Sequence, residues 1–397
     1  MVKTVIIQAS STAWSGGQDL CMNEINGRHV VYRTVESFLT ADPNVVVVVA
    51  APEFDKNGHL DTALKDLLSD RVSIYYGDDA SPLKRMVAIT ADMSPDDYII
   101  RADGLHFPVD TTEALEMLDK AKAQKLDCMK FPDDFPIQFT ADIYRVGALR
   151  TYAQMDIEPA FHVHPKYGMF ADSDNFKCAF TMAPHYSKEH LKKISEIART
   201  VYVIPRLEVN EKSIAAGDQL SFHYEKAATY LNADDVVLDI ACGDGYGSRY
   251  LSDHVKHITG GDLELRVVEG AIERNKDKAN VAFSNEDVTK MSFADNSFDA
   301  VISMETVEHV DDHAYIAEIA RVIKPNGRFV LSTPQNSLGH IPVNAEHVRE
   351  YSLDAITELC SKYFDIVEVI GIKQGRIIIP NSPKGSNIMI VANRKAD

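Results

Sequence analysis

The sequence is short of several things, and each shortage narrows what it can be. Cysteine is scarce: Cys21, Cys128, Cys178, Cys242 and Cys360 are scattered over 397 residues, with no C-x-x-C pair. An odd, scattered set argues against a disulfide framework and against a cysteine-rich zinc site. It suits a reducing, cytoplasmic setting. No run approaches the ~20 apolar residues needed to span a bilayer. The opening Met-Val-Lys-Thr-Val-Ile-Ile-Gln is too short for a signal segment and predicts a first strand. Positive charge is in deficit, with 41 Lys and Arg against 59 Asp and Glu and a net charge of -18. Such a surface repels phosphate backbones, so nucleic acid is not expected as a partner; one anionic substrate in a local basic pocket is still compatible. Metal-ligand spacing is missing as well. His162 and His164, with the distant His185, have no specific geometry, and no metal site is expected.

What is present is an ordinary globular composition, 45% hydrophobic and 25% charged, in a chain long enough for two or three domains. Strand and helix patterns alternate from the start. Strands are predicted at Val2–Ala9, Val45–Ala51, Val72–Tyr76 and Asp97–Arg101, and helices at His29–Thr40, Pro82–Ala91 and Thr111–Gln124. The run Val45–Ala51 is unbroken and β-branched, as in a strand covered on both faces. A second alternation begins near Val236, with strands at Val236–Ile240, His257–Gly261, Val281–Ser284, Asp299–Ser303 and Gly327–Thr333. Both series predict βαβ units around mostly parallel sheets. The fold class is therefore α/β with two domains, 1–208 and 209–397.

The strongest local signal is Val236-Val-Leu-Asp-Ile-Ala-Cys-Gly-Asp-Gly-Tyr-Gly-Ser248. A buried strand runs into a turn with glycines at 243, 245 and 247, where the backbone can bend sharply and approach a ligand. A second strand ends in Gly260-Gly-Asp262, about 20 residues later, where an acid can accept ribose hydroxyls. A third leads to Asn285-Glu-Asp287, where a carboxylate can reach an adenine amino group. Three such tips at the carboxyl ends of successive strands mark a ligand crevice. Asp239 beside the turn would repel a pyrophosphate and attract a cationic ligand.

These residues resemble the first motif of the class I S-adenosylmethionine-dependent methyltransferases. Ser292-Phe-Ala-Asp-Asn-Ser-Phe-Asp299, followed by Ala300-Val-Ile-Ser-Met-Glu-Thr-Val-Glu-His-Val310, resembles their fourth-strand region, and Arg321-Val-Ile-Lys-Pro-Asn-Gly327 the turn before strand five. The likeness covers nearly all of 213–395. It is closest to a branch associated with surface-polysaccharide gene clusters, through Phe222-His-Tyr224 and His347-Val-Arg-Glu350. The resemblance implies a Rossmann-like fold and S-adenosyl-L-methionine as cofactor. It implies Tyr224, Asp239, Ala241, Gly243, Asp244, Gly245, Asp262, Leu263, Asp287, Val288 and Met304 as the residues that hold it. The implied acceptor is a hydroxyl of a sugar, nucleotide-sugar or surface glycan.

For proton transfer the candidates are Glu305, His309 and His347. If 305–309 is helical, 305, 308 and 309 share a face; His309 has the right pKa range for a base, with Glu305 to orient it. His347 is the second candidate, and Arg349 is placed to bind an anionic acceptor. Cys242, with no basic neighbour in sequence, reads as packing.

The first half resembles the cytidylyltransferases that activate acidic and surface-polysaccharide sugars. The likeness rests on Val5-Ile-Ile-Gln-Ala9, Asn26-Gly-Arg-His-Val-Val-Tyr-Arg-Thr-Val-Glu36, Tyr76-Gly-Asp-Asp-Ala-Ser-Pro-Leu-Lys84, Ile100-Arg-Ala-Asp-Gly104 and Ala183-Pro-His-Tyr-Ser187. Two departures matter. The loop Ser10–Gln18 has no arginine or lysine for a triphosphate, and Leu105 stands where the resemblance implies a metal-binding aspartate. Asp103 points to the same sheet face two residues earlier. The expectation is a nucleotidyltransferase-like α/β domain without catalysis, which binds a nucleotide-sugar or glycan acceptor or scaffolds a homo-oligomer. The rival readings are a bifunctional cytidylyltransferase–methyltransferase and a non-catalytic ligand-binding protein.

Overall fold

A computed structural model describes residues 2–13, 17–182, 186–201, 219–338, 342 and 344–396. Two units emerge from it, residues 1–202 and 203–397. The boundary expected after residue 208 lies outside the described residues.

In the first unit the apolar runs become strands as their composition predicts. A seven-stranded sheet has the order β3-β2-β1-β4-β6-β5-β7. The strands are β1 (Lys3–Gln8), β2 (Val45–Pro52), β3 (Val72–Gly77), β4 (Tyr98–Asp103), β5 (Cys128–Lys130), β6 (Asp142–Arg145) and β7 (Cys178–Phe180). The strands β3, β2, β1 and β4 are parallel, and β6 pairs antiparallel with β4. Val5, Ile6, Ile7, Val47 and Val49 are fully buried, as expected for strands covered on both faces.

The second unit holds an eight-stranded sheet of order β10-β9-β8-β11-β12-β15-β13-β14. Its strands are β8 (Val236–Ile240), β9 (His257–Asp262), β10 (Val281–Asn285), β11 (Phe298–Met304), β12 (Ile323–Pro334), β13 (Phe364–Lys373), β14 (Ile377–Ile378) and β15 (Asn387–Arg394). From β10 to β12 the pairing is parallel, and β15 runs antiparallel between β12 and β13. Alternate residues of the strands enter separate cores. Leu238, Ile240 and Val301 pack with helix residues Ile316 and Ile319 on one face. Val237, Ala300, Ile302 and Met304 pack with Tyr224 and Ala227 on the other. The sheet is thus covered on both sides, and its β-branched strands need that cover. Among the described residues no helix is long and apolar enough to cross a membrane.

The chain leaves β8 toward β9 and β10 on one side and later returns to β11 on the other. That reversal opens a crevice at the carboxyl ends of β8 and β11, where open α/β sheets bind ligands.

Candidate active site

The glycine-rich turn sits at this reversal. Ala241, Gly243 and Gly245 have φ of 61°, 58° and 81°. Two of these left-handed positions are glycine, which adopts them freely; Ala241 bears a Cβ there. Gly247 is needed for a different reason. A Cβ on it would lie 2.0 Å from Cζ of Tyr224, so its bareness lets the Tyr224 ring lie against the turn.

Tyr224 comes from the helix Gln219–Ala228. Its hydroxyl donates to Oδ1 of Asp239 at 3.0 Å, and the Ser248 hydroxyl donates to Oδ2 at 2.7 Å. Asp239 is fully buried. Burial pushes its carboxyl up to about 7, against those two hydrogen bonds. Asp262, one strand over, is also buried. Its Oδ2 accepts from the Gly243 N–H at 3.0 Å and its Oδ1 from the Glu264 N–H at 3.1 Å. It therefore clamps the glycine turn as well as standing at the strand tip. Leu263 beside it is 69% exposed, an apolar face at the mouth of the crevice. Asp287 lies exposed past β10 and accepts from the Thr289 N–H at 2.8 Å. Val288 and Met304 are buried. Asp244 faces the turn, with Oδ1 accepting from the Tyr246 N–H at 3.3 Å. The parallel register sets Asp239 opposite Gly260 and Asp262 opposite Asn285, so these tips share one edge of the sheet. Cys242 is a buried thiol, pushed well up by that burial, which fits packing and not nucleophilic attack.

The donor set has a consistent chemistry. Buried acids and a bare, bent backbone suit a cationic amino acid moiety and ribose hydroxyls. The guanidinium of Arg274 donates instead to the Asp244 carbonyl at 3.1 and 3.2 Å. The residues present fit S-adenosylmethionine.

The proton-transfer candidates are arranged differently from the expectation. Residues 305–309 do not form a helix. Glu305 ends the strand with φ of 50°, Val307–His309 is a single 3-10 turn, and the next helix starts only after Asp311, whose Oδ1 caps it through the Ala314 N–H. The left-handed bend at Glu305 breaks the run on which the shared face depended. Glu305 does not orient His309. It accepts from Ser332 Oγ at 2.7 Å and Asn387 Nδ2 at 2.9 Å. Because the Ser332 proton goes to Glu305, Nδ1–H of His223 donates to Ser332 Oγ, at 3.0 Å. Burial pushes the Glu305 carboxyl up to about 7.

His309 instead packs against His347, ring centroids 4.9 Å apart. The Glu308 carbonyl accepts from the N–H groups of Val348 and Arg349, and these two bonds draw the 347–349 segment onto the turn. Glu308 itself is buried, with Oε2 accepting from Thr333 Oγ1 at 2.9 Å. Burial, with Glu305 nearby, pushes its carboxyl well up. Burial holds the His309 imidazole below its ordinary range. Arg349 donates to Asp312 at 2.8 Å, so its expected role with an anionic acceptor competes with that pair. Glu308 stood beside 305 and 309 in the sequence and Glu350 closed the 347–350 segment, but His223, Ser332 and Asn387 were not singled out there as site residues. Only His223 carried a signal, in the aromatic helix before the glycine turn.

In the first unit the crevice lies at the ends of β1 and β4. Asp103 accepts from Arg101 Nη2 at 2.8 Å, with His106 Nε2 3.5 Å away. Asp55 accepts from the Ser11 N–H at 2.8 Å and from its hydroxyl. Asp19 is raised by burial, with Asp103 and Asp55 nearby. His162 Nδ1 lies 3.3 Å from Ser81 Oγ, and His164 is lowered by burial to about 3. His185 lies outside the described residues.

Residues 238–331 match the family model described as a methyltransferase domain. The C-terminal unit carries a class I methyltransferase domain. S-adenosylmethionine is its cofactor. A protein of Mycolicibacterium smegmatis described as a probable S-adenosylmethionine-dependent methyltransferase is 29% identical over 145 residues, 35% of this chain and 55% of that protein. Phosphoethanolamine N-methyltransferase 1 of Triticum aestivum is 34% identical over 105 residues, 26% of this chain and 21% of that one. The crystal structure of the YcgJ protein of Bacillus subtilis is similar with a TM-score of 0.36 and 20% identity, over 44% of this chain and 98% of that chain. This chain spans about half or less of the length of these two curated relatives.

Proposed function

We propose that the protein transfers a methyl group from S-adenosylmethionine to a hydroxyl of a sugar, nucleotide-sugar or surface glycan. The observation that carries the methyl-transfer reading is the set of acidic tips around the left-handed glycine turn, at the reversal of the sheet. S-adenosylmethionine supplies a methyl group activated by a sulfonium charge. Asp239, Gly243, Asp244, Gly245 and Asp262 bind and orient the donor, with Tyr224 bracing Asp239. Leu263, Asp287, Val288 and Met304 border the adenosine end. Alignment of the two reactants is the main contribution asked of the protein. The acceptor hydroxyl loses its proton at the cluster of Glu305, Glu308, His309 and His347.

The sugar-type acceptor rests on the polysaccharide-associated likeness of 222–224 and 347–350 and on the first unit. For that unit we propose a nucleotidyltransferase-like domain, within 1–208, that binds and does not catalyse. The carboxylates Asp19, Asp55 and Asp103 at its crevice, with no basic residue in Ser10–Gln18, support this against the bifunctional reading. A triphosphate there would meet like charge.

The test is transfer of labelled methyl from S-adenosylmethionine into an extract of the source cells, with mass analysis of the product. A labelled sugar or glycan is expected. A labelled small amine or protein would overturn the acceptor class. Cofactor binding without S-adenosylhomocysteine release, across all acceptor fractions, would favour a binding protein.

A further inference from the structure

Three donor atoms, one each from Glu308, His309 and His347, lie within 4.8 Å of one another. The tautomers of both histidines are set by their neighbours. His309 Nδ1 is 2.9 Å from the Glu346 carbonyl oxygen, which can only accept, so Nδ1 carries the proton. His347 Nδ1 is 2.8 Å from Oε1 of Glu350. That carboxylate also accepts from the Asn344 N–H and from Asn336 Nδ2, so here too Nδ1 is the donor. In both rings Nε2 is left with its lone pair. An imidazole whose outer N–H goes to a carbonyl or a carboxylate is the usual arrangement of a metal-bound histidine.

The third donor gives an independent sign. Glu308 is 1% exposed, and its Oε1 is a buried atom with no hydrogen-bond partner among the described residues. It lies 3.9 Å from His309 Nε2. A buried carboxylate oxygen without a partner is costly.

We propose that Glu308, His309 and His347 form a binding site for a divalent metal cation. The donors of one ion, each about 2.1 Å from it, sit roughly 3–3.5 Å apart. The three donors, now within 4.8 Å of one another, draw in to that spacing as an ion binds. The Asn344 amide, now donating to His347 Nε2 at 3.2 Å, gives way to the ion. Two imidazoles and one carboxylate suit zinc, manganese or ferrous iron better than magnesium or calcium, which prefer oxygen. Three protein ligands leave coordination positions open. The role follows from the methyltransferase reading above, although the site does not depend on it: the acceptor hydroxyl oxygen takes an open position and is made more acidic there. The hydroxyl proton passes to water, the oxygen–methyl bond forms as the methyl–sulfur bond breaks, and the sulfur leaves uncharged in S-adenosylhomocysteine.

The experiment is calorimetric titration of the full chain, stripped with a chelator, with zinc chloride and separately with manganese chloride. Elemental analysis after dialysis checks the stoichiometry, and S-adenosylmethionine titration of the same samples runs in parallel. One equivalent of zinc or manganese is expected. Glu308→Gln, His347→Ala and His309→Ala should each lower metal affinity by roughly tenfold or more, and Glu350→Gln by about 10–100-fold. His309 is exposed enough for its variant to fold, and circular dichroism checks all four. A folded wild type that takes up neither metal in stoichiometric amount overturns the site, as does unchanged affinity in His309→Ala. A stripped protein that binds S-adenosylmethionine but no metal overturns this proposal alone. One that takes up metal at these residues but does not bind S-adenosylmethionine keeps the site and overturns the methyltransferase reading. Full methyl transfer by the stripped protein overturns the catalytic role.

Discussion

Both units place a first strand inside a parallel set and reverse the chain beside it, yet the two crevices differ in what they can hold. After β8 the backbone bends through Gly243 and Gly245, and Asp262 clamps the turn by its N–H. After β1 the loop is fastened by its side chains, with Ser11 bound to Asp55 through backbone and hydroxyl. The acids at the β8 edge surround a bare turn. At the β1 edge Asp55 holds Ser11 and Asp103 is paired with Arg101 and near His106, whereas at the β8 edge Asp239 takes the hydroxyls of Tyr224 and Ser248. Topology supplies a place for a ligand in each case, and the loop chemistry decides which ligand, if any, is taken.

The largest effect is expected at the proton-transfer cluster. His309→Ala takes a donor from the cluster at which the acceptor hydroxyl is deprotonated, and should lower kcat by about 10²–10⁴-fold, the usual weight of proton removal in such a step, and leave S-adenosylmethionine affinity nearly unchanged. Steady-state kinetics with calorimetry would test it. A variant within a few-fold of wild type would make the cluster structural and leave the two crevices alike in lacking reactive groups. Next comes the clamp on the glycine turn. Asp262→Ala removes a buried charged acceptor and should weaken S-adenosylmethionine binding by about 1.5–3 kcal/mol. Unchanged affinity in a folded variant would remove the contrast drawn between the two loops.

Much of this was legible in the sequence, and each failure has a physical cause. The β-branched runs such as Val45–Ala51 and Val236–Ile240 became strands, because such residues fit a pleated surface buried on both faces. The acid at each strand tip was also readable, since strand, turn and acid are neighbours in the chain. The expected helix over 305–309 was not formed, because its local spacing said nothing of the left-handed bend at Glu305. The partners of Glu305 escaped for another reason. Asn387 is 82 residues away, and the Ser332 that receives His223 is 109 residues from that histidine. Hydrogen bonds across such separations leave no periodic trace. His309 and His347 were each visible, but their meeting depends on the Glu308 carbonyl holding Val348 and Arg349.

A smaller effect concerns pH. The Asp239 carboxyl sits at about 7 in the folded protein, above its ordinary value of about 4. A raised pKa means that the folded state holds the proton more tightly than the unfolded one. Its contribution to the stability of the free protein is complete below pH 4 and is lost as pH rises toward 7. A cationic ligand favours the ionised form, so S-adenosylmethionine affinity should rise between pH 6 and 8, by roughly tenfold at most. Calorimetry at pH 6, 7 and 8 measures this, and Asp239→Asn should flatten the slope. An equal slope in that variant would assign the dependence to another group.

The smallest effect expected is none at all, and it tests the other half of the comparison. A nucleotidyl transfer needs positive charge around the phosphates as pyrophosphate leaves. Ser10–Gln18 supplies no arginine or lysine, and Asp19, Asp55 and Asp103 are close enough to raise the Asp19 carboxyl together with its burial. Asp103, the one candidate to replace a metal-binding aspartate at Leu105, is held by Arg101. The purified protein should therefore release no pyrophosphate above background from any nucleoside triphosphate, with magnesium and a range of sugar acids present. Binding of a nucleotide-sugar without turnover would agree with this, because fewer phosphate charges need neutralising and no bond to phosphorus is broken. Steady pyrophosphate release that needs both magnesium and a sugar acid, and that is lost in Asp103→Asn, would show that the first crevice is also catalytic. The bifunctional reading would then replace the one proposed, and the contrast between the two loops would concern which reaction each supports.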